Sequence, residues 1–410
     1  GYDGVGIANV TDDTVSRGCY YIQDTDGNWK DNTKWKNQVV PPNQENAFIK
    51  ANSNVTNNQR ISNLSLDTGS QVNINDGIRL EIQGSVVNKS KFVGNGEVLL
   101  NGTANQQLSD NGAYKNLRLK NTNGAEVIDS TAVTGVLSVD SGTLTTGSDG
   151  NITMKCSSVN EPNPGDPKTT AQIGNIASGA DITGEVTVER CVPKSNRAFR
   201  YISSPVNTTG TINANLQEGA SSASKDPKPG YGTHITGSTT GNNGLDATQT
   251  GNSSMFEWNE GLATPAWEAI TSTNQTGDKM SVGDAYALMI RGDRSTPLNS
   301  NTAVGPKTIL RFTGTLLTGE RVVTAGNLSD EIGNYNLVAN PYQAIVDAKS
   351  LLQGSDATDL DDQTIYIYDP TMGTQGGYAA IDLSLSDPSP TPASGDTNAD
   401  ENILPNQAFF

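Results

Sequence analysis

Residues 63–87 read NLSLDTGSQVNINDGIRLEIQGSVV, and this stretch decides the fold class. Two apolar pairs, Leu64 with Leu66 and Leu80 with Ile82, each have a spacing of two, so both side chains of a pair leave the same face of an extended strand. An Asp-Thr-Gly and an Asp-Gly corner separate the pairs and reverse the chain at little steric cost. The stretch therefore predicts short strands joined by tight corners.

The same pattern continues to residue 156 at a nearly constant interval. Further apolar pairs bring the steps between pairs to 15–20 residues: Val98/Leu100, Leu117/Leu119, Leu137/Val139 and Ile152/Met154. A second, weaker series runs through the same intervals and consists of Ile74, Val93, Leu108, Val127 and Leu144. Two inward faces in each period predict the coils of a parallel β-solenoid, also called a β-helix.

An antiparallel meander of hairpins is the alternative, because Asn-Gly corners between alternating strands are also a hairpin signal. Hairpins require no fixed period, whereas stacked coils must stay in register with one another. We therefore favour the solenoid.

Composition excludes several classes of protein. Of 410 residues, 34% are hydrophobic and 6% aromatic, and 43 are Gly, which suits many short strands and turns. The formal net charge of −17 repels nucleic acid, and no Lys/Arg cluster offsets it, so we expect no nucleic-acid partner. No apolar run approaches the roughly 20 residues of a membrane helix, so we expect no membrane span.

Three regions are predicted along the chain. Residues 1–62 are interpreted as an N-terminal cap, because a solenoid end exposes strand edges that need cover. Residues 63–190 hold the solenoid repeats. Residues 191–410 have longer, more aromatic strands without a short period, among them strands predicted at residues 285–290 and 364–368. This region is interpreted as a β-sandwich of jelly-roll type, with one helix over residues 342–352. The expected fold class is all-β.

The sequence offers little catalytic chemistry. His234 is the single histidine, lies in a Gly-rich loop without a Gly-x-Ser-x-Gly motif, and is interpreted as a loop residue. The tripeptide Arg291-Gly-Asp293 is interpreted as a turn with a salt bridge. Phosphate-binding Gly-rich motifs are absent from the sequence. We therefore expect no enzyme and no cofactor other than a candidate Ca²⁺.

Two stretches place oxygen ligands at the alternating positions of a calcium loop. They are Asp24 with Asp26, and Asp396 with Asn398 and Asp400. In both stretches the twelfth position lacks the bidentate Glu of an EF-hand. A polar turn is the alternative for each.

Two further sets of residues are candidate sites. Trp258, Trp267 and Tyr378 are candidate platforms for a glycan, with a place in the core as the alternative. Cys156 and Cys191 flank the join between the repeats and the region that follows, so they are a candidate disulfide, with buried thiols as the alternative.

Eight parts of the chain carry a resemblance to a known family: Gly27-Asn-Trp29 with Thr33-Lys-Trp35 and Val40-Pro41, Thr134–Thr146, Ile182–Arg190, Phe199–Val206, Gly230–Gly237, Ile290–Arg294, Val338–Tyr342 and Leu404–Phe410. Together they resemble large surface proteins of Bacteroidetes that the type IX secretion system exports, often described as gliding-motility-associated. The resemblance implies an extracellular or cell-surface location and a C-terminal sorting region, which we expect to follow Phe410 in a longer polypeptide. It supplies no catalytic residues, and proteins of this kind are mostly adhesin-like or structural.

The same resemblance implies that the chain is a glycoprotein. Bacteroidetes O-glycosylate Ser or Thr after Asp, and Thr14 in Asp13-Thr14-Val15 and Ser130 in Asp129-Ser130-Thr131 match this tripeptide. Both residues are therefore candidate O-glycosylation sites.

The sequence thus predicts a non-enzymatic extracellular structural or adhesive protein. We expect it to associate with itself or with a cell-surface partner, and strand addition at the coil ends would make it a subunit of a surface filament. The alternative is a secreted protein that binds or processes surface glycans through the three aromatic residues named above.

Overall fold

A computed structural model describes residues 20–147, 151–156, 170–194, 197–262, 264–300, 304–323, 328–329, 331, 333–357, 360–373, 376–390, 397 and 399–410. The chain is nearly all β and about 5% helical. It divides into two compact units. The first unit holds the described residues of Gly1–Lys155 and Ala171–Thr187, and the second holds those of Cys156–Thr170 and Val188–Phe410.

The first unit is a parallel β-solenoid with three faces, each formed by one parallel sheet. The first face contains the strands Tyr20–Gln23, Asn46–Ile49, Leu64–Leu66, Val86–Asn88, Gln106–Ser109, Ala125–Val127, Thr143–Thr146 and Asp181–Thr183. The second face contains, in this unit, Gly27–Asn28, Asn52–Val55, Gln71–Ile74, Lys91–Val93, Ala113–Tyr114, Ser130–Val133 and Asn151–Met154. The third face contains Gln59–Ile61, Arg79–Ile82, Glu97–Leu100, Leu117–Lys120, Val136–Ser141 and Gln172–Ile176.

Successive coils stack their apolar residues in register along the inside of the solenoid. On the third face Leu80 lies opposite Val98, Val98 opposite Leu117, and Leu117 opposite Leu137. All four side chains are buried. Burial of an aliphatic side chain of this size contributes about 1.5–3 kcal/mol, so the core is a property of the stack and not of any single coil.

Each coil has three faces, whereas the sequence predicted two. The apolar pairs mix the faces, since Leu64 lies on the first face, Leu80 on the third and Ile152 on the second. The weaker series mixes them too, with Ile74 on the second face and Leu108 on the first. Some second-face strands are as short as two residues, as in Ala113–Tyr114, so the apolar alternation of this face is interrupted and a period of two faces was the simpler interpretation.

Coil strands begin at Tyr20, well before the predicted boundary at residue 63. Trp29 and Trp35 pack edge to face with ring centroids 5.0 Å apart, and both are buried. Trp35 Nε1 donates a hydrogen bond of 2.7 Å to the carbonyl oxygen of Trp29. The segment predicted as a cap thus contributes coil strands, together with the short 3₁₀ helices Asn32–Lys34 and Lys36–Gln38.

Corners are braced by stacked amide side chains and by glycine. Asn46 Oδ1 accepts hydrogen bonds from Asn63 N and Nδ2 at 3.1 and 2.9 Å, and Asn63 Oδ1 accepts one from Ser85 N at 2.7 Å. Gly142 has φ +78°, and a Cβ there would lie 1.9 Å from the carbonyl oxygen of Asn121 in the preceding coil. Only glycine fits where two coils approach so closely.

A chain of ion pairs crosses the outer side of the third face. Arg79 Nε lies 2.6 Å from Glu97 Oε1, and Glu97 Oε2 lies 2.8 Å from Arg118 Nε. Arg118 Nη1 then lies 3.0 Å from Asp140 Oδ1. These charges belong to four successive strands of the face, so they link neighbouring coils through outward-facing positions.

The second unit is built from antiparallel sheets and small strand pairs. A four-stranded antiparallel sheet has the order Ala198–Ser203, Ala285–Ile290, Met255–Asn259, Ala266–Ala269, and a three-stranded one the order Thr364–Asp369, Gly377–Asp382, Ser389–Pro390. The paired strands are Val206–Thr208 with Thr308–Leu316, Thr236–Ser238 with Asp246–Ala247, Val338–Ala339 with Ala408–Phe409, and Val346–Asp347 with Asn402–Ile403. Val186–Val192 contains the boundary between the units. These pairings do not confirm a jelly roll.

The one predicted helix is shorter than expected, and the structure contains others that were not predicted. The predicted helix over residues 342–352 is present only as Ala348–Leu352, because residues 346–347 pair as a strand. Asp347 caps this helix, since its Oδ1 accepts a hydrogen bond of 2.8 Å from Ser350 N. A second helix, Ile212–Leu216, was not predicted, and a 3₁₀ helix spans Asn242–Gly244.

Cys156 and Cys191, the candidate pair of the sequence analysis, form a disulfide in the second unit with their Cα atoms 5.6 Å apart. The bridge joins positions 35 residues apart in the chain. It therefore restricts the unfolded chain over a long loop.

Candidate ligand pocket and aromatic cluster

The three candidate glycan platforms lie in one aromatic cluster of the second unit. Trp258 and Trp267 are directly opposite each other on antiparallel strands, with ring centroids 5.1 Å apart. Phe410 contacts both rings, at 5.0 and 6.0 Å, and also the ring of Tyr378, at 6.2 Å. The structure therefore brings together residues that are more than 100 positions apart in sequence.

The exposure of these aromatic residues is intermediate between core and free surface. Tyr378 is 47% exposed, and both tryptophans are half-buried. The hydroxyl of Tyr378 is hydrogen-bonded to that of Tyr201, whose ring lies 5.1 Å from Trp267. Burial, followed by the contact with Tyr378, raises the pKa of Tyr201, so its hydroxyl stays protonated. The contacts with Tyr201 thus hold the cluster in place, while part of the cluster faces solvent.

A pocket of about 370 Å³ lies in the same unit, and Trp258 belongs to its wall. Three carboxyl groups, those of Glu257, Glu260 and Asp284, line it together with Arg321. Such a cavity, with aromatic and apolar walls and a few polar groups, is the general form of a small-ligand site.

The carboxyl groups of this pocket have raised pKa values. Desolvation raises the pKa of Asp284, against hydrogen bonds from Ser281 that lower it. Desolvation also raises the pKa of Glu257, and the negative charges of Glu268 and Asp284 add to the effect. For Glu260, desolvation raises the pKa and the backbone hydrogen bond from Leu337 lowers it. Carboxyl groups of this kind occur at functional sites, where they accept or donate protons and hydrogen bonds.

These carboxyl groups were not predicted as a site from the sequence. Glu257 lies in the strand Met255–Asn259, and Asp284 directly precedes the strand Ala285–Ile290. The two strands are neighbours, and Glu257 is directly opposite Tyr286. In the sequence, the one sign of this site was an acidic residue, Glu257, within an aromatic strand. The strand pairing that places Glu257 beside Asp284 depends on tertiary structure.

Asp24, Asp26 and Asp400, three of the candidate calcium ligands, lie in polar turns. Asp26 accepts hydrogen bonds from Asn52 N at 2.7 Å and from Asn52 Nδ2 at 3.1 Å, and these bonds lower its pKa. Asp24 accepts a hydrogen bond from Thr25 Oγ1 at 3.4 Å, and Asp400 accepts one from Asn402 N at 2.9 Å. Asp396 and Asn398 lie outside the described residues. Among the described residues, no three His, Cys, Asp or Glu side chains converge as a metal site.

The candidate O-glycosylation sites differ in what the structure says of them. Ser130 is exposed at the start of the strand Ser130–Val133. Thr14 lies outside the described residues. Only Ser130 can therefore be assigned an accessible position.

His234 belongs to a buried polar network. Its Nδ1 lies 2.9 Å from Asp246 Oδ2, and its Nε2 lies 3.0 Å from the carbonyl oxygen of Arg294. Arg294 also binds both carboxylate oxygens of Asp246, each at 2.8 Å. Desolvation raises the pKa of Asp246, but the hydrogen bonds from His234 and Arg294 outweigh it, and the pKa is lowered. Both imidazole nitrogens are occupied, so the network holds loops together.

The Arg291-Gly-Asp293 tripeptide is buried as well. Arg291 is 9% exposed and Asp293 is 6% exposed. The salt bridge of this turn is made by the next residue, Arg294, with Asp246. The tripeptide therefore presents no exposed recognition loop.

Comparisons with known proteins identify no relative. No protein-family model, no curated protein and no solved structure matches the chain. None of the helices in the described part of the chain has the length and apolar character that crossing a membrane requires.

Proposed function

We propose that this chain is a non-enzymatic extracellular protein with a structural or adhesive role at a bacterial cell surface. The observation that carries the proposal is the stack of coils in the first unit, whose inside is apolar and whose outside carries polar side chains and cross-coil ion pairs. Solenoids of this kind present extended, regular surfaces to partners. The resemblance to proteins exported by the type IX secretion system supports the location.

Self-association is part of this proposal. Gln59–Ile61 and Gln172–Ile176 are the outermost strands of the third face. Strands in such positions accept a further strand by backbone hydrogen bonding, and a head-to-tail contact that does not close produces a filament. A jelly-roll arrangement of residues 191–410 is also part of the proposal. In this arrangement the region would display its loops to a partner.

Surface location is tested on intact cells of the native source. A protease that cannot enter cells is expected to remove the protein while a periplasmic marker stays intact, and gold-labelled antibody is expected to decorate the cell exterior. Full protection from the protease, with release only after lysis, would contradict the proposal.

Glycan binding is the second candidate function, and the half-exposed aromatic cluster beside a carboxyl-lined pocket favours it. Binding to a glycan array is expected to be lost in Trp267→Ala, because the ring of Trp267 contacts those of Trp258, Tyr201 and Phe410. Tyr21→Ala, which removes a half-buried aromatic ring from the solenoid, is the matched control and is expected to bind as the wild type does. Equal loss in both variants, or no binding by the wild type, would exclude this function.

A further inference from the structure

Arg291 lies at one end of the four-stranded sheet, next to a second arginine. It directly follows the strand Ala285–Ile290, whose antiparallel partner begins at Ala198, directly opposite Ile290. Continued by one residue, this register places Arg197 opposite Arg291. Two like charges in opposite positions repel each other, so this end of the sheet concentrates positive charge.

The guanidinium of Arg291 is buried without hydrogen-bond partners at two of its nitrogens. Arg291 is 9% exposed, and its Nε and Nη1 have no partner in the described part of the chain. Desolvation and the charge of Arg197 lower its pKa. A buried cation with unused donors is costly in a folded protein unless an anion compensates it.

A second unused donor lies in the same turn. Thr296 is 5% exposed, and its hydroxyl has no partner among the described residues. A Cβ at Gly292 would lie 2.8 Å from Thr296 Oγ1, so this hydroxyl packs against the residue that follows Arg291. The neighbouring carboxylate of Asp293 is engaged elsewhere, since its Oδ2 accepts from Gly230 N at 2.9 Å and its Oδ1 accepts from Ser295 N at 3.0 Å.

We propose that the turn from Arg291 to Thr296 is a binding site for a tetrahedral oxyanion, a phosphate or sulfate group. Arg291 Nε and Nη1 and the hydroxyl of Thr296 are the donors. Guanidinium groups form short, strong hydrogen bonds with such oxyanions, and the anion compensates the buried charge. The small exposed fraction of Arg291 favours a free inorganic ion over an ester carried on a larger molecule.

Thermal unfolding in phosphate and in chloride of equal ionic strength at pH 7 tests the site. Phosphate stabilises proteins in general, so the measured quantity is the rise in the melting temperature of the second unit, followed by its own calorimetric transition, in the wild type beyond the rise in Arg291→Met. Arg79→Met, which removes an exposed arginine with the same change in charge, is the control. In chloride, Arg291→Met is expected to have a melting temperature equal to or above that of the wild type, because an unpaired buried charge is gone. In phosphate we expect the reverse order, with the wild type melting above Arg291→Met. The melting temperature of Arg79→Met is expected to rise in phosphate as much as that of the wild type.

Two further measurements keep the test independent of folding defects. Thr296→Val retains Arg291 and is expected to weaken phosphate binding, measured by calorimetry, by about tenfold, the loss of one hydrogen bond to a charged group. Glucose 6-phosphate distinguishes the two sources of the anion, and we expect it to bind much more weakly than inorganic phosphate. An equal phosphate response of the wild type and Arg291→Met, or unchanged affinity in Thr296→Val, would overturn the proposal, and tighter binding of the ester would overturn the choice of a free ion.

Discussion

Arg294→Met is expected to destabilise the second unit strongly. The Arg294 side chain is fully buried and donates five hydrogen bonds, two to Asp246 and one each to the carbonyl oxygens of Ser222, Lys225 and Thr233. Methionine restores most of the volume but none of the donors. It also leaves the carboxylate of Asp246 buried with less compensation.

The magnitude follows from these contacts. Hydrogen bonds from a charged group contribute about 1.5–3 kcal/mol each, and removal of one partner from a buried ion pair costs about 3–5 kcal/mol in total. Because methionine fills most of the vacated volume, we expect the total for a broken buried ion pair and not the full sum over five hydrogen bonds. The expected loss in the free energy of unfolding is about 3–5 kcal/mol. Arg79→Met is the matched control, since Arg79 is 54% exposed, and its loss is expected to cost at most about 1 kcal/mol.

The assay is pulsed hydrogen exchange in increasing urea, read by mass spectrometry on peptides of each unit. Because the chain has two units, a single melting curve would not report a single free energy. Arg294→Met is expected to lower the urea midpoint of peptides from residues 217–246 and to leave solenoid peptides unchanged. A midpoint within the error of Arg79→Met would refute the assignment of Arg294 as the centre of the network.

Three other results are expected. Cys191→Ser opens the 35-residue loop that the disulfide with Cys156 closes. The chain-entropy model gives an expected loss of about 4 kcal/mol in the free energy of unfolding of the second unit. The comparison is with the wild type, measured with and without reductant. Asp246 has a lowered pKa in the fold, so it stabilises the protein above its unfolded pKa of about 3.9, and this contribution is lost as the pH falls through the lower folded value. Asp246→Asn is therefore expected to flatten the dependence of the urea midpoint on pH in the acid range, and an unchanged slope would contradict the reasoning. Leu119→Ala is expected to lower the free energy of unfolding by about 2–5 kcal/mol, because the side chain is fully buried. Val136→Ala, at a position 41% exposed, is expected to cost far less. Similar losses in the two variants would mean that the coil interior is wrongly assigned.

Sequence periodicity was sufficient for the solenoid but not for its faces. The spacing of pairs such as Leu80/Ile82 and Val98/Leu100 predicted stacked coils, and these pairs do lie opposite each other. The second face could not be separated from the other two because some of its strands, such as Ala113–Tyr114, bury a single large side chain, which leaves no alternation to detect. A coil needs only enough apolar residues to fill its interior, so the number of corners is weakly encoded.

In the second unit, strands were easier to predict than their partners. The strand predicted at residues 285–290 is present with the same bounds, and the one predicted at residues 364–368 extends by one residue. Which strands pair depends on contacts between distant segments, and local alternation carries no information on them. The pocket at Glu257 and Asp284 and the network around Asp246 depend on such pairings, so neither could be derived from spacing.

The candidate O-glycosylation sites were predicted from tripeptide matches alone, without information on their exposure. Ser130 is exposed and can carry a sugar, and an intact mass of the native protein above the sequence mass by hexose units is the expected result if it does. A native mass equal to that of the unmodified chain would end this hypothesis.

Electron microscopy of the protein purified from its native source, before any dissociating treatment, tests the proposed structural role most directly. We expect regular filaments whose axial repeat corresponds to one 43.1 kDa subunit. Dispersed monomers at every concentration examined would contradict the filament proposal and would favour the glycan-binding alternative.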